Sequence, residues 1–150
     1  MSSFKGSYQY TVDDKSRINI PSKMRKYISR EAKNTFTITR GFETCIFMYP
    51  NDEWLKLETT IRKLISTDPK HRFFTRTLLQ WATEAELDTQ SRITLPKELL
   101  QFAHIENEIL IIGVLERIEL WNPKLFKEYE RKQKETYENV AATVFQSLKE

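Results

Sequence analysis

The segment VDDKSRINIPSKM at 12–24 returns as LDTQSRITLPKEL at 87–99, so that Asp13, Ser16, Arg17 and Pro21 recur 75 positions later as Asp88, Ser91, Arg92 and Pro96. An internal repeat restricts the chain to architectures built from two similar halves. The echo continues in NTFTITRGFETCIFMYP and NEILIIGVLERIELWNP, each an apolar strand, a glycine (Gly41, Gly113) and a second strand ending on an aromatic residue (Tyr49, Trp121). Those glycines lie 72 apart because the first half carries extra residues in ISREAKN, an insertion that a loop absorbs. Either half alone would bury little apolar surface. The 150 residues are therefore expected to form two units, 1–82 and 83–150, in a pseudo-symmetric packing where each covers the other's apolar face.

The local pattern supports an α+β chain with a mainly β core and peripheral helices. GSYQYTVD alternates with Tyr8, Tyr10 and Val12 on one side, Asp-Lys-Ser reads as a turn, and RINI returns with Ile18 and Ile20 on one face, which predicts a short hairpin. Pro21 opens a short helix over Ser22 to Tyr27, and Pro96 opens its counterpart in KELLQFA. NDEWLKLETTIRKLIS predicts a helix using Trp54, Leu57, Ile61 and Leu64 or Ile65, and a second runs from Pro69 to about Ala82 with Phe73, Leu78 and Trp81. Phe36, Phe42, Phe47, Trp54 and Trp81 are expected in the core. After Pro123 a helix begins on Leu125, Phe126 and Tyr129, then weakens before Val140, Val144 and Leu148, so the tail is expected to be mobile or to pack on a partner.

The net charge of +3 decides little, but its distribution is uneven. Up to residue 30 the chain carries Lys5, Lys15, Arg17, Lys23, Arg25, Lys26 and Arg30 against Asp13 and Asp14, whereas Arg92 has Glu84, Glu86, Asp88 and Glu98 nearby. If both halves meet an anionic partner, the first is expected to supply more of the attraction. Cys45 is the only cysteine, which excludes an internal disulfide and suits a reducing, cytoplasmic setting. No apolar run reaches the length of a membrane span, and MSSFKGSYQY lacks the apolar stretch of a signal peptide.

Asp13 to Arg17 and Asp88 to Arg92 share one separation across a tight turn, so the carboxylate before the turn can brace the guanidinium after it. Such a pair can simply close a hairpin. It can also hold an arginine tip toward phosphates or base edges, with Lys15 and Gln90 beside Arg17 and Arg92. Lys23 and Arg25 on the first short helix, and Lys97 at the start of the second, are either solvated charges or further anion contacts.

The doubled D-x-K/Q-S-R-I-x-I/L-P unit, F-x-G at Phe4 and Gly6, YPNDEW at 49–54 and RIELWNP at 117–123 together resemble the MraZ family of bacterial transcriptional regulators, over nearly the whole chain to about residue 130. The resemblance implies a duplicated AbrB-like swapped-hairpin β-barrel assembled into a homo-oligomeric ring, an octamer or similar. It also implies a cytoplasmic, nucleoid-associated protein that binds double-stranded DNA at short direct repeats, usually repressing its own operon of cell-wall and cell-division genes. On this reading Lys15, Arg17, Lys23, Arg25, Gln90, Arg92 and Lys97 contact DNA, while Asp13 and Asp88 brace the tips. Where the family commonly has glycine before the tip arginine, this chain has Ser16 and Ser91, and Leu100 and Gln101 stand where a basic residue often follows the second helix.

An AbrB-type antitoxin or global regulator, and a ring-forming structural or protein-interaction protein, are the alternatives. Catalysis is not expected: His71 and His104 lack a neighbouring nucleophile or carboxylate at a catalytic spacing, and with Cys45 they form no zinc pattern. Three scattered glycines make no phosphate-binding loop. No cofactor, small-molecule substrate or membrane partner is expected.

Overall fold

The computed structural model describes residues 2–149. Its strands are β1 (Ser7–Thr11), β2 (Arg17–Asn19), β3 (Thr35–Arg40), β4 (Ile46–Pro50), β5 (Thr83–Glu86), β6 (Arg92–Thr94), β7 (Glu108–Val114) and β8 (Arg117–Trp121). Its helices are α1 (Ser22–Arg25), α2 (Asn51–Ile61), α3 (Pro69–Gln80), α4 (Lys97–Phe102), α5 (Pro123–Arg131) and α6 (Tyr137–Ser147), with a 3₁₀ turn at Arg30–Ala32. The strands form an antiparallel six-stranded sheet in the order β1-β7-β8-β4-β3-β5, and a separate antiparallel pair β2-β6. The fold is thus mixed α+β with antiparallel sheets and peripheral helices.

Under the repeat, β1 corresponds to β5, β3 to β7 and β4 to β8, so the sheet order reads the same from either edge. This arrangement corrects the expected β1–β2 hairpin. The chain does close a turn at residues 13–17, but its arms part: β1 pairs with β7, with Tyr8 opposite Ile111, and β2 pairs with β6, with Ile18 opposite Ile93. The physical reason is burial. Ile18, Ile20, Ile93 and Leu95 cover the sheet face carrying Ile38, Ile46, Met48, Ile109, Ile111, Ile118 and Leu120, and all are nearly inaccessible to water. A β1–β2 ladder would leave the β2 isoleucines without the matching strand that completes this core.

Alternate residues of β4 explain the second layer. Ile46 and Met48 enter the first core, whereas Phe47 and Tyr49 face the other way with Cys45, Trp54, Ile61, Leu78 and Trp121 under α2 and α3. Cys45 is fully buried there, and burial pushes its thiol up to about 12, so it stays protonated and unreactive at neutral pH. Asp68 caps α3 by accepting from the Lys70 N–H at 2.8 Å, ahead of Pro69. Asn122 caps α5 in the same way, and Phe126 packs edge-on against Trp121 at 5.0 Å between ring centres.

Several expectations shift. The first short helix ends at Arg25 rather than Tyr27, α2 ends at Ile61, which leaves Ile65 exposed, and α3 ends at Gln80. Phe36, Phe47 and Trp54 are buried, and Trp81 is half-buried against Phe102. Phe42 and Phe73 are exposed: Phe42 sits in the tight β3–β4 loop closed by Gly41 N–H to Cys45 O, and Leu78 takes the buried position of α3. The segment after Pro123 is two helices broken between Arg131 and Tyr137, and no residue of α6 is buried.

Candidate nucleic-acid interface

The two tips have the same construction to within a tenth or two of an ångström. Asp13 Oδ1 accepts from the main-chain N–H groups of Lys15 (2.9 Å) and Arg17 (2.8 Å), and Asp13 Oδ2 accepts from Arg17 Nε at 2.7 Å. In the second tip Asp88 Oδ1 accepts from Gln90 (2.8 Å) and Arg92 (2.9 Å), and Asp88 Oδ2 from Arg92 Nε at 2.9 Å. Ser16 and Ser91 both adopt left-handed backbone, at φ 62° and 61°. Both serines therefore occupy the left-handed region that usually favours glycine.

Because each carboxylate binds Nε, the outer Nη groups of both arginines make no hydrogen bond to the described residues. The bracing holds a planar donor fork whose other edge is unpaired among the described residues, a form suited to a phosphate or a guanine edge. The Arg17 main-chain N–H does most to hold Asp13 below the ordinary aspartate value, with the guanidinium and Lys15 N–H adding to it; Arg92 and Gln90 do the same for Asp88. A carboxylate whose folded value is depressed stabilises the fold above its unfolded value and loses that contribution as pH falls through the folded one. Carbon-13 titration of the two carboxyl groups is expected to give midpoints below about 3.9, with the tip-derived stability fading only as pH drops from about 4.

Left-handed serine also carries a cost that glycine avoids. Ser16→Gly and Ser91→Gly are each expected to raise stability by about 0.5–1 kcal/mol, the relief of strain exceeding glycine's added chain entropy, as read by thermal melting.

The β2–β6 pair brings the tips together. Arg17 lies opposite Thr94 and Arg92 opposite Asn19, flanking the buried Ile18–Ile93 pair, so both arginines share the outward face. Asn19 and Thr94 join them on that face and are exposed. Sequence reasoning passes over these two, although they stand two residues beyond each arginine in an alternating strand, which is the available signal. Ile20 N–H donates to Ser91 O at 3.1 Å and Leu95 N–H to Ser16 O at 2.8 Å. Each tip therefore lies against the chain entering the other half's short helix.

That crossover places the remaining candidates. Lys23 and Arg25, exposed on α1, follow the segment bonded to the second tip; Lys97, exposed at the start of α4, follows the segment bonded to the first. Lys15 and Gln90 are exposed within the tips themselves. Lys5 and Lys26 both lie over the Tyr27 ring, at 5.3 and 5.2 Å, and extend the positive surface around α1. Among the described residues no group of three or more His, Cys, Asp or Glu side chains is placed to hold a metal ion, and no helix is long and apolar enough to cross a membrane.

A family model described as "MraZ protein, putative antitoxin-like" matches the chain twice, at residues 3–77 and 78–148. Three similar proteins carry the name "Transcriptional regulator MraZ". They come from Natranaerobius thermophilus (38% identical), Halothermothrix orenii (40%) and Desulfitobacterium hafniense (36%), each aligned over 141 residues covering 94% of this chain and 96% of the relative. The chain belongs to the MraZ family of transcriptional regulators.

Proposed function

We propose that this protein reads double-stranded DNA through its paired tips and regulates transcription, as a repressor of its own cell-wall and cell-division operon, by binding short direct repeats in the promoter. The observation that carries this reading is the pair of identically braced arginines on one face of β2–β6, each with its outer Nη groups unused. Arg17 and Arg92 contact guanine edges or phosphates, Gln90 offers an adenine contact, and Lys15, Lys23, Arg25 and Lys97 hold the backbone. Asp13 and Asp88 position the arginines.

The crossover changes the expected balance between the tips. Arg92 lies in an acidic stretch of sequence, but the segment hydrogen-bonded to its tip leads into α1, which carries Lys23 and Arg25. On this reading the second tip is electrostatically supported from the other half, and residues 1–82 and 83–150 act as two AbrB-like swapped-hairpin units sharing one core. A single tip pair binds weakly, so the cytoplasmic, nucleoid-associated form is a homo-oligomeric ring, an octamer or similar, whose tip spacing matches tandem repeats.

Fluorescence anisotropy at about 0.15 M salt, on a duplex with tandem direct repeats and a scrambled duplex of equal length, tests this. A clear preference for the repeats is expected. Equal affinity for both duplexes, or none for either by a folded multimer, would overturn repeat recognition.

A further inference from the structure

Two apolar surfaces of the described chain lack a partner within it. The first is one face of α6, where Tyr137, Val140, Ala141, Val144, Phe145 and Leu148 follow the spacing of an amphipathic helix. Tyr137 is 83% exposed and Leu148 75%. Thr136 caps this helix by accepting from the Asn139 N–H, yet an isolated helix of this length is marginal in water unless its apolar face is covered. The second is a groove between the β3–β4 loop and α3, lined by Phe42, Phe73, Phe74 and Leu78, in which Phe42 is 69% and Phe73 71% exposed. Aromatic rings of this kind belong in a core unless something covers them.

The charges around the two surfaces are opposite. From residue 70 to 80, α3 carries Lys70, Arg72 and Arg76 and no acidic residue, whereas from 135 to 148 the tail carries Glu135 and Glu138 and no basic one. Arg40 lines the groove itself and Lys70 lies one helical turn before Phe73 and Phe74, whereas Arg72 and Arg76 line a separate groove with Ile61, Leu64 and Ile65. Within one chain α5 is anchored on Trp121 through Phe126 and Tyr129, and α6 beyond it is unburied rather than folded back into its own groove.

We propose that α6 of one copy docks, apolar face inward, in the Phe42–Phe73–Phe74 groove of a second copy of this chain. The inference rests on the assembly part of the proposed function. It covers both apolar surfaces with one contact and sets Glu135 and Glu138 near Arg40 and Lys70. Pairing α6 with α6 instead would gather like charges and leave the groove open. Donor and acceptor are different patches of the chain, so the contact is head-to-tail, the kind that propagates from copy to copy and closes into a ring.

The test uses two full-length variants, Phe73→Asp, which spoils the groove and keeps the tail, and Val144→Asp, which spoils the tail and keeps the groove. Both positions are exposed, so folding is expected to survive; circular dichroism checks it, and Phe73→Ser with Val144→Ser provides a milder pair. By sedimentation velocity the wild type is expected to assemble, each variant to need at least about tenfold higher concentration, and an equimolar mixture to recover a dimer and nothing larger. One intact tail and one intact groove remain in the mixture, which allows a single contact. Wild-type-like assembly by either variant, or a mixture that shows no association, overturns the docking while leaving ring assembly through another surface. Assembly by Phe73→Asp alone would identify α6–α6 pairing. A wild type that stays monomeric overturns both the docking and the ring.

Discussion

Replacing Arg17 by alanine is expected to weaken binding to the repeat duplex by roughly 5- to 150-fold per engaged site, the range of about 1–3 kcal/mol for one lost bidentate arginine contact, with a larger loss in a multimer that engages several sites. Its effect on the scrambled duplex is expected to be smaller, so the preference shrinks along with the affinity. Melting is expected to change little, because the Arg17–Asp13 pair is at the surface and such pairs contribute little to folding. Arg92→Ala is expected to act in the same direction. The crossover adds a sharper result: Lys23→Ala combined with Arg92→Ala gives a non-additive loss, while Lys23→Ala combined with Arg17→Ala is close to additive, since Lys23 lies on the chain bonded to the second tip. Anisotropy on the single and double variants checks it. Equal additivity in both pairs would remove the crossed arrangement from the DNA contact.

The repeat makes the tips legible in the sequence itself, because a matched separation of Asp and Arg in two frames is independent of what the strands pair with. Ile18 and Ile93 can likewise be assigned to an inner face from alternation alone. Their pairing with each other cannot be read, since a period of two fixes which side a residue faces and not which strand lies beside it. That is why the turn at Asp13 reads as a hairpin, while β1 in fact runs along β7. Phe42 and Phe73 look like core residues by type, but their positions in a loop and on a helix flank put them outside both cores. Asn19 and Thr94 fall between signals, being neither charged nor part of the doubled Asp–Arg frame. The crossed bonds from Ile20 to Ser91 and from Leu95 to Ser16 are tertiary and leave no trace in local spacing.

The repeat's two glycines are equivalent in sequence, and substituting them is expected to give unequal results. A methyl group added at Gly113 would lie 2.4 Å from the Lys5 main-chain N and 2.7 Å from both Lys5 Cα and the Phe4 carbonyl carbon. Those are backbone atoms, tied down by the Gly113 N–H to Gly6 O bond and by two bonds between Phe4 and Leu115, and Phe4 itself is fully buried. They cannot yield without releasing the first residues of the chain from the sheet edge. At Gly41 the nearest atoms are instead Cys45 Sγ at 2.5 Å and Phe47 Cε1 at 2.8 Å, side-chain atoms that can rotate or shift, with the Cys45 carbonyl oxygen farther off at 3.1 Å. Gly113→Ala is therefore expected to destabilise by about 3 kcal/mol, at the upper end of the range for overpacking, and Gly41→Ala by about 1–2 kcal/mol. Urea unfolding of the two variants measures the difference, and amide hydrogen exchange locates it: Phe4 and Leu115 lose protection in Gly113→Ala and keep it in Gly41→Ala. The reverse order would mean that the segment bearing Phe4 and Lys5 moves aside at little cost, and that Phe4 is not the fixed wedge that closes the first core at the β1 edge.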